Sequence, residues 1–377
     1  MNEEKDERVY SVWLSHCIGV GPGSFDALSF FPSARAFYEA GAAEWYATGL
    51  FRPAQLRRME KRDLTDAKRI VRQCDENAWH IIDVNSEYYP VNLKEIVDAP
   101  GVLYVWGDPA CLKDERMIAV VGARDATRYS IEVAHRLTAD FARAGMTVVS
   151  GGALGIDTAA HRGALEGGGK TVAVMGCGLG ASYLSENEGL RRDVAASGAV
   201  ISELAPFSKP FQGSFPQRNR LISGLSKGTV VIEAGENSGS LGTAEHAYRQ
   251  NRDVFAVPGD VISSSFVGSN VLIANGAKPV FRAEDVLYDY EYLYNLDLSA
   301  LRGESVRKPA RHKPLAPETL SDVQRKVYAC FDCEPVGFDA LVAQSGLSAP
   351  LLSQTLTELQ IIGLIRPLPG KRFTAAD

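Results

Sequence analysis

The chain has 377 residues, 45% of them hydrophobic and 23% charged, with a formal net charge of −6. That length exceeds one ordinary core and the composition is that of a globular protein, so two or three domains are expected. The acidic balance excludes nucleic-acid binding across the whole surface, so any polyanion must meet a local positive patch.

No run of apolar residues reaches the length of a membrane span, and the acidic opening MNEEKDERVYSVWL differs from a signal peptide. Six scattered cysteines form no disulfide framework. Cys330 and Cys333 make a lone CxxC without a second pair or a histidine at metal spacing, so packing is preferred and no metal is expected. A reducing cytoplasm fits this usage.

In chain order, residues 1–85 read as small helices. The stripe Val9, Val12, Trp13 leads into Gly19-Val20-Gly21-Pro22-Gly23, and helical patterns follow over Ala34–Tyr46 and Pro53–Cys74. The glycine turn resembles that of a SAM-like or helix-hairpin-helix domain. It suits a tight corner between helices as well as it suits phosphate binding. The passage from Tyr88-Tyr89-Pro90 to Trp106-Gly107 bridges into the next domain.

From Met117 to about Asp289, short apolar runs alternate with amphipathic segments. Strands are predicted at Met117–Val121, Met146–Ser150, Thr171–Met175, Val200–Glu203, Thr229–Glu233, Asp253–Val257 and Lys278–Phe281. Strands apolar throughout, with crossover helices, mean a mostly parallel sheet covered on both faces. That is a doubly wound, Rossmann-like α/β domain over 86–295, with ligands at the carboxyl ends of its strands. Residues 296–317, rich in Pro, Arg and Lys toward their end, read as a linker. Over 318–377, helices at Leu320–Phe331, Phe338–Ser345 and Pro350–Ile362, followed by a ribbon at Leu364–Phe373, make a winged helix.

The strand ends carry the functional signal. Gly122 and Arg124 follow the first parallel strand. Ser150-Gly151-Gly152 follow the second, Gly176-Cys177-Gly178 the third, and Ser238-Gly239-Ser240 a later one. Such turns place free N–H groups along one edge of the sheet. In Phe215-Pro216-Gln217-Arg218-Asn219-Arg220, two arginines flank Asn219 where a helix is expected to begin, with Phe215 as a platform for a base. These groups predict a groove for several phosphates, and on charge and position alone Lys227, Arg249 and Arg252 extend it.

The glycine spacing after the first strand is not GxGxxG, and no ribose-binding acid follows, so a dinucleotide cofactor is disfavoured and no cofactor is expected. Asp157 and His161 share a helix face, but a capping carboxylate and a packed histidine are preferred over acid–base work. No nucleophile, base and orienting group come together, so no catalytic residue is assigned.

The strings VGARDATRY (121–129), SGGALGIDTAAHRGAL (150–165), FPQRNRLISGLS (215–226), SGSLGTA (238–244), VFAVPGD (254–260) and GSNVLIANGA (268–277) resemble the DprA/Smf family. The helical start and the terminal winged helix resemble it too. The resemblance implies a non-enzymatic bacterial recombination mediator. Such a protein binds and protects incoming single-stranded DNA, usually as a homodimer, loads the RecA recombinase and counters the single-strand-binding protein. It implies that Arg124, Ser150, Gly151, Gly152, Phe215, Arg218, Asn219 and Arg220 face DNA. Three departures stand out: Ala123 where Ser or Thr is usual, Ser130 for a glycine, and Gly242 for a larger apolar residue.

The alternative is a Rossmann-like nucleoside-monophosphate phosphoribohydrolase, because SGSLGTAE at 238–245 is similar to PGGxGTxxE. Glu245, however, falls one residue early, about 100° around a helix. A winged-helix transcription factor ranks lower, since Ser353, Gln354 and Thr355 offer little for base readout.

Overall fold

The computed structural model describes residues 6–21, 23–296, 298, 301, 320–331, 336–368 and 372–375. The chain divides into two compact units, Met1–Gly303 and Glu304–Asp377. Cys333 and residues 302–317 of the expected linker lie outside the described residues.

The first unit opens with six helices, α1 (Glu7–Ile18), α2 (Ser24–Phe30), α3 (Ala34–Ala40), α4 (Ala42–Ala47), α5 (Pro53–Met59) and α6 (Thr65–Glu76). Each of the two longer helical patterns is broken once. Gly41, at φ 92°, separates α3 from α4, and Arg62, at φ 48°, turns the chain between α5 and α6. Trp13, Phe37 and Trp45 pack together in the centre, with the Phe37 and Trp45 rings stacked 5.6 Å apart.

Nine strands form one sheet: β1 (His80–Asp83), β2 (Val102–Gly107), β3 (Met117–Val121), β4 (Thr147–Ser150), β5 (Thr171–Val174), β6 (Ala199–Ser202), β7 (Gly228–Val231), β8 (Asp253–Ala256) and β9 (Lys278–Pro279). The order is β1-β2-β6-β5-β4-β3-β7-β8-β9. All seven predicted strands are present, and β3 through β9 run parallel. The bridge passage differs from expectation. It supplies β2, and the end of the stretch expected to be helical, His80–Asp83, supplies β1; the two extend the β6 edge antiparallel, with Tyr104 opposite Ser202.

Among the described residues, the α-helices that follow in this unit include α7 (Val91–Lys94), α8 (Arg128–Arg143), α9 (Ile156–Glu166), α10 (Glu188–Ser197), α11 (Ser214–Leu225), α12 (Gly239–Arg249), α13 (Val267–Ala274) and α14 (Glu284–Tyr294). Every residue of β3 is buried, because both faces of the sheet are covered. Met117, Ala119 and Val121 share a core with α11 and α12, whereas Ile118 and Val120 pack with α8, α9 and α14. The chain winds from β3 through β6 in one direction, then returns through α11 to place β7 on the other side of β3. Connections therefore diverge between β3 and β7, which opens a crevice at the carboxyl ends of those strands.

The second unit holds helices at Asp322–Ala329, Phe338–Ser345 and Ala349–Ile361 and a three-stranded sheet of Val336–Gly337, Ile365–Leu368 and Arg372–Ala375. Its own core gathers Val327, Tyr328, Phe331, Leu341, Leu352, Leu356 and Leu359. This is the expected winged helix. Among the described residues, no helix is long and apolar enough to cross a membrane.

Phe141, fully buried in α8, anchors the core on the far side of the crevice. Phe141→Ala should cost the first unit about 3–5 kcal/mol. The urea midpoint should fall accordingly, and an unchanged midpoint would contradict the packing described.

Candidate functional site

The crevice between β3 and β7 is a cleft of about 450 Å³, lined among others by Gly122, Arg124, Asp157, Phe215, Arg218, Asn219, Ser238, Gly239 and Ser240. Its walls are the first halves of α11 and α12. Helix α11 starts at Ser214, four residues earlier than the arginine-rich string suggests, behind Gly213 at φ 90° and with no side-chain cap. Phe215 therefore sits in the first turn, and Arg218, Asn219 and Arg220 lie in the helix interior.

Residues two apart on a helix point about 200° apart, so Arg218 and Arg220 cannot share one anion. Arg218 turns under the cleft and is only 7% exposed. Its Nη1 donates to the carbonyl oxygens of Gly151 at 2.6 Å and of Val174, tying α11 to the ends of β4 and β5. Its Nε is buried without a hydrogen-bond partner among the described residues. Arg220 points the other way, into an ion pair with Glu203 and within 3.3 Å of Asp98. Arg220 is thus a buried structural cation, not a group on the rim.

Other predicted residues are also placed elsewhere. Ser150, Gly151 and Gly152 are buried behind Arg218. The Ser150 hydroxyl donates to the Val120 carbonyl at 2.7 Å, and the Gly151 carbonyl is used by Arg218. Lys227 precedes β7, at the amino ends of the strands, 3.5 Å from Glu115. Arg249 lies in the last turn of α12, paired with Glu245, and Arg252 pairs with Glu95 at 2.7 Å. None of these three lines the cleft. The exposure of Glu245, and its pairing away from the cleft, also count against the phosphoribohydrolase alternative.

Several of the strand-end amides expected to be free are used within the protein. The N–H of Ala123 donates to the Glu233 carbonyl, that of Ala153 to the Asp157 carboxylate and that of Gly178 to the Ser208 carbonyl. At the start of α8, the Thr127 N–H and hydroxyl both donate to the Glu233 carboxylate at 2.9 Å, so an internal anion occupies that helix terminus. The Gly19–Gly23 turn behaves likewise. Its Gly21 N–H donates to the Glu203 carboxylate at 3.3 Å.

What remains open to solvent is compact. Arg124 is exposed, has no carboxylate partner among the described residues, and lies 5.1 Å from the centre of the Phe215 ring. Tyr183 packs against the same ring at 5.3 Å. Across the cleft, Ser238 caps α12 by accepting the Ser240 N–H, and the exposed Gly239 begins the helix with the positive end of its dipole toward the cleft. Asn219 donates to the Gly239 carbonyl at 3.1 Å and locks α11 to α12.

Beneath the cleft, burial pushes the Asp157 carboxyl above the usual carboxylate range, and Arg218 and the Ala153 amide pull it back only in part. Burial lowers Arg218 in turn. His161 is fully buried with Nδ1 2.7 Å from the Thr171 hydroxyl, and burial holds it neutral, down at about 3. Sequence reasoning missed Thr243, His246 and Tyr183. The first two were legible: Gly239, Gly242, Thr243 and His246 follow the 3-4-7 spacing of one helix face. Tyr183 lies in a loop with no periodicity to betray it.

Comparison with known proteins gives the family and supports the fold. Residues 80–291 match the family described as DNA recombination-mediator protein A, and residues 311–371 match the DprA winged helix domain. The DNA processing protein DprA of Bacillus subtilis is 40% identical over 218 residues, covering 58% of this chain and 73% of that protein. A solved structure of DNA processing protein A from Streptococcus pneumoniae superposes with a TM-score of 0.61 at 30% identity, covering 74% of this chain and 97% of that one. The Helicobacter pylori protein, solved to explain its single-stranded DNA binding mode, gives a TM-score of 0.52 at 29% identity, over 57% of this chain and 97% of that one.

The buried pair gives a pH-dependent prediction. Burial raises the Glu203 carboxyl, and Arg220 is what opposes that rise. Arg220→Met removes the opposing charge and should destabilise by about 3–5 kcal/mol at neutral pH. A carboxyl raised in the folded state binds its proton preferentially there, so the variant should recover stability as pH falls from 8 toward 5. Urea midpoints across that range test the sign, and a penalty independent of pH would contradict it.

Proposed function

The chain belongs to the DprA/Smf family of DNA recombination mediators, and from that premise we propose that it binds and protects incoming single-stranded DNA and loads the RecA recombinase onto it. The observation that carries the reading is Arg124, an exposed and unpaired cation over Phe215, facing the first turn of α12. A strand drawn through the cleft meets a guanidinium fork and helix amides with its phosphates, and an aromatic face with a base. Stacking of this kind contributes on the order of 1–3 kcal/mol per base with little sequence preference.

The single-stranded DNA binding named for the Helicobacter pylori protein supports this ligand class. Binding rather than catalysis is the reading we favour, because the Asp157 carboxylate accepts the Ala153 amide and His161 is sealed in the core. RecA loading, displacement of the single-strand-binding protein, a homodimeric state and a cytoplasmic setting complete the proposal and rest on family membership.

Arg124→Ala should weaken binding to labelled oligo-dT roughly tenfold, the scale of one charge-assisted contact. It should also flatten the slope of log affinity against log salt by about 0.7, one phosphate's share on a single strand. Lys227→Ala and Arg249→Ala should change neither quantity. An Arg124→Ala protein with wild-type affinity and slope would overturn the assignment.

A further inference from the structure

Gly242 lies in the first half of α12 and lines the cleft. A Cβ placed there would meet only the Asn219 Nδ2, at 3.9 Å, so the glycine is not demanded by a close neighbour. It leaves a recess between α11 and α12 instead. Ile222 and Thr243 border that recess, and His246 stands one turn further along the same face of α12.

The polar groups there are unspent. Asn219 uses its amide nitrogen on the Gly239 carbonyl, which leaves its oxygen to accept. The His246 imidazole makes no hydrogen bond with the described residues, while its carbonyl accepts the Gln250 N–H. Burial lowers its pKa, outweighing Asp98, while Arg220 and Arg249 press the same way as burial and Glu245 opposes them. A neutral imidazole both donates and accepts, and with the Asn219 oxygen it offers the mixed polar edge that a base presents in return. Ile222 supplies an apolar wall for the ring, and the whole cleft falls in the roughly 300–1,000 Å³ range of small-ligand sites.

We propose that this recess receives one nucleobase of the bound strand, turned in between α11 and α12 and held at its polar edge by Asn219 and His246. The inference rests on the single-stranded DNA reading above and goes further, because it makes Gly242 the residue that admits the base. Filling the recess should then remove a base-dependent part of binding while leaving phosphate contacts in place.

The test compares the full-length wild type, Gly242→Leu and His246→Leu on labelled oligo-dT and on an abasic strand of equal length. Melting curves verify the fold of each variant. The wild type should prefer the base-bearing strand by about tenfold or more, the scale of one stacked base. Gly242→Leu should lose the recess's share of that preference and keep the share of Phe215, and His246→Leu should lose about half as much on a logarithmic scale, both with abasic affinity unchanged. Should Gly242→Leu fail to fold, the His246→Leu result decides. Wild-type preference in each folded variant overturns the inference. Absence of wild-type binding to both strands would instead sink the single-stranded DNA reading itself. If free thymidine monophosphate binds the wild type in a Gly242-dependent way while the strand's preference is untouched, the recess belongs to a free nucleotide and the inference is also overturned.

Discussion

A single buried guanidinium holds the cleft in shape. Arg218 reaches from α11 to the carbonyl ends of β4 and β5, so the helix cannot slide relative to the sheet without stranding a charge away from water. The contact needs a glycine at 151, because a Cβ there would run into the Arg218 guanidinium and the Asp157 carboxylate. One turn earlier on α11, Phe215 is thereby fixed 5.9 Å from the Arg218 guanidinium and 5.1 Å from that of Arg124. The aromatic platform and the exposed cation are positioned by a residue that itself stays mostly out of reach.

Charge follows the same logic. An acidic protein cannot attract a polyanion by its mean field, so it needs a cation that its own carboxylates leave alone. Arg220, Arg249, Arg252 and Lys227 all face acidic groups within the protein. Arg124 makes no ion pair among the described residues, and it stands at the topological switch point, where the crevice opens. The helix start at Ser238–Ser240 adds oriented amides on the opposite wall without adding a titratable group. The result is a small positive site on an acidic molecule, with neutral hydrogen-bonding groups beside it.

Much of this was legible in the sequence. The inner parallel strands are short, mostly apolar runs whose few polar residues, such as Thr147, Thr171 and Thr229, are also buried, a pattern that burial on both faces explains, and the glycine turns mark their carboxyl ends. Gly122, Arg124, Phe215, Arg218, Asn219 and Ser238–Ser240 could be gathered at one edge on that basis alone. The direction of each arginine could not. Helix α11 begins at a glycine without a capping side chain, so its start carries no polar signature, and a shift of four residues turns a rim of arginines into an interior pair on opposite sides. The partners that bury Arg220 are distant in sequence: Asp98 lies 122 residues away and Glu203 lies 17. β1 and β2 were hidden differently. They pair antiparallel at the edge, outside the strand–helix alternation that revealed the others.

The central claim is that a single strand runs through the crevice between β3 and β7 with a base against Phe215. Photocrosslinking of an oligonucleotide carrying 5-iodouracil, followed by mass spectrometry of the digested full-length protein, tests it most directly. The account predicts crosslinks in the peptides holding Phe215 and Tyr183, lost when Phe215 is replaced by leucine. Crosslinks confined to the winged helix, or to the helices of residues 7–76, would contradict it.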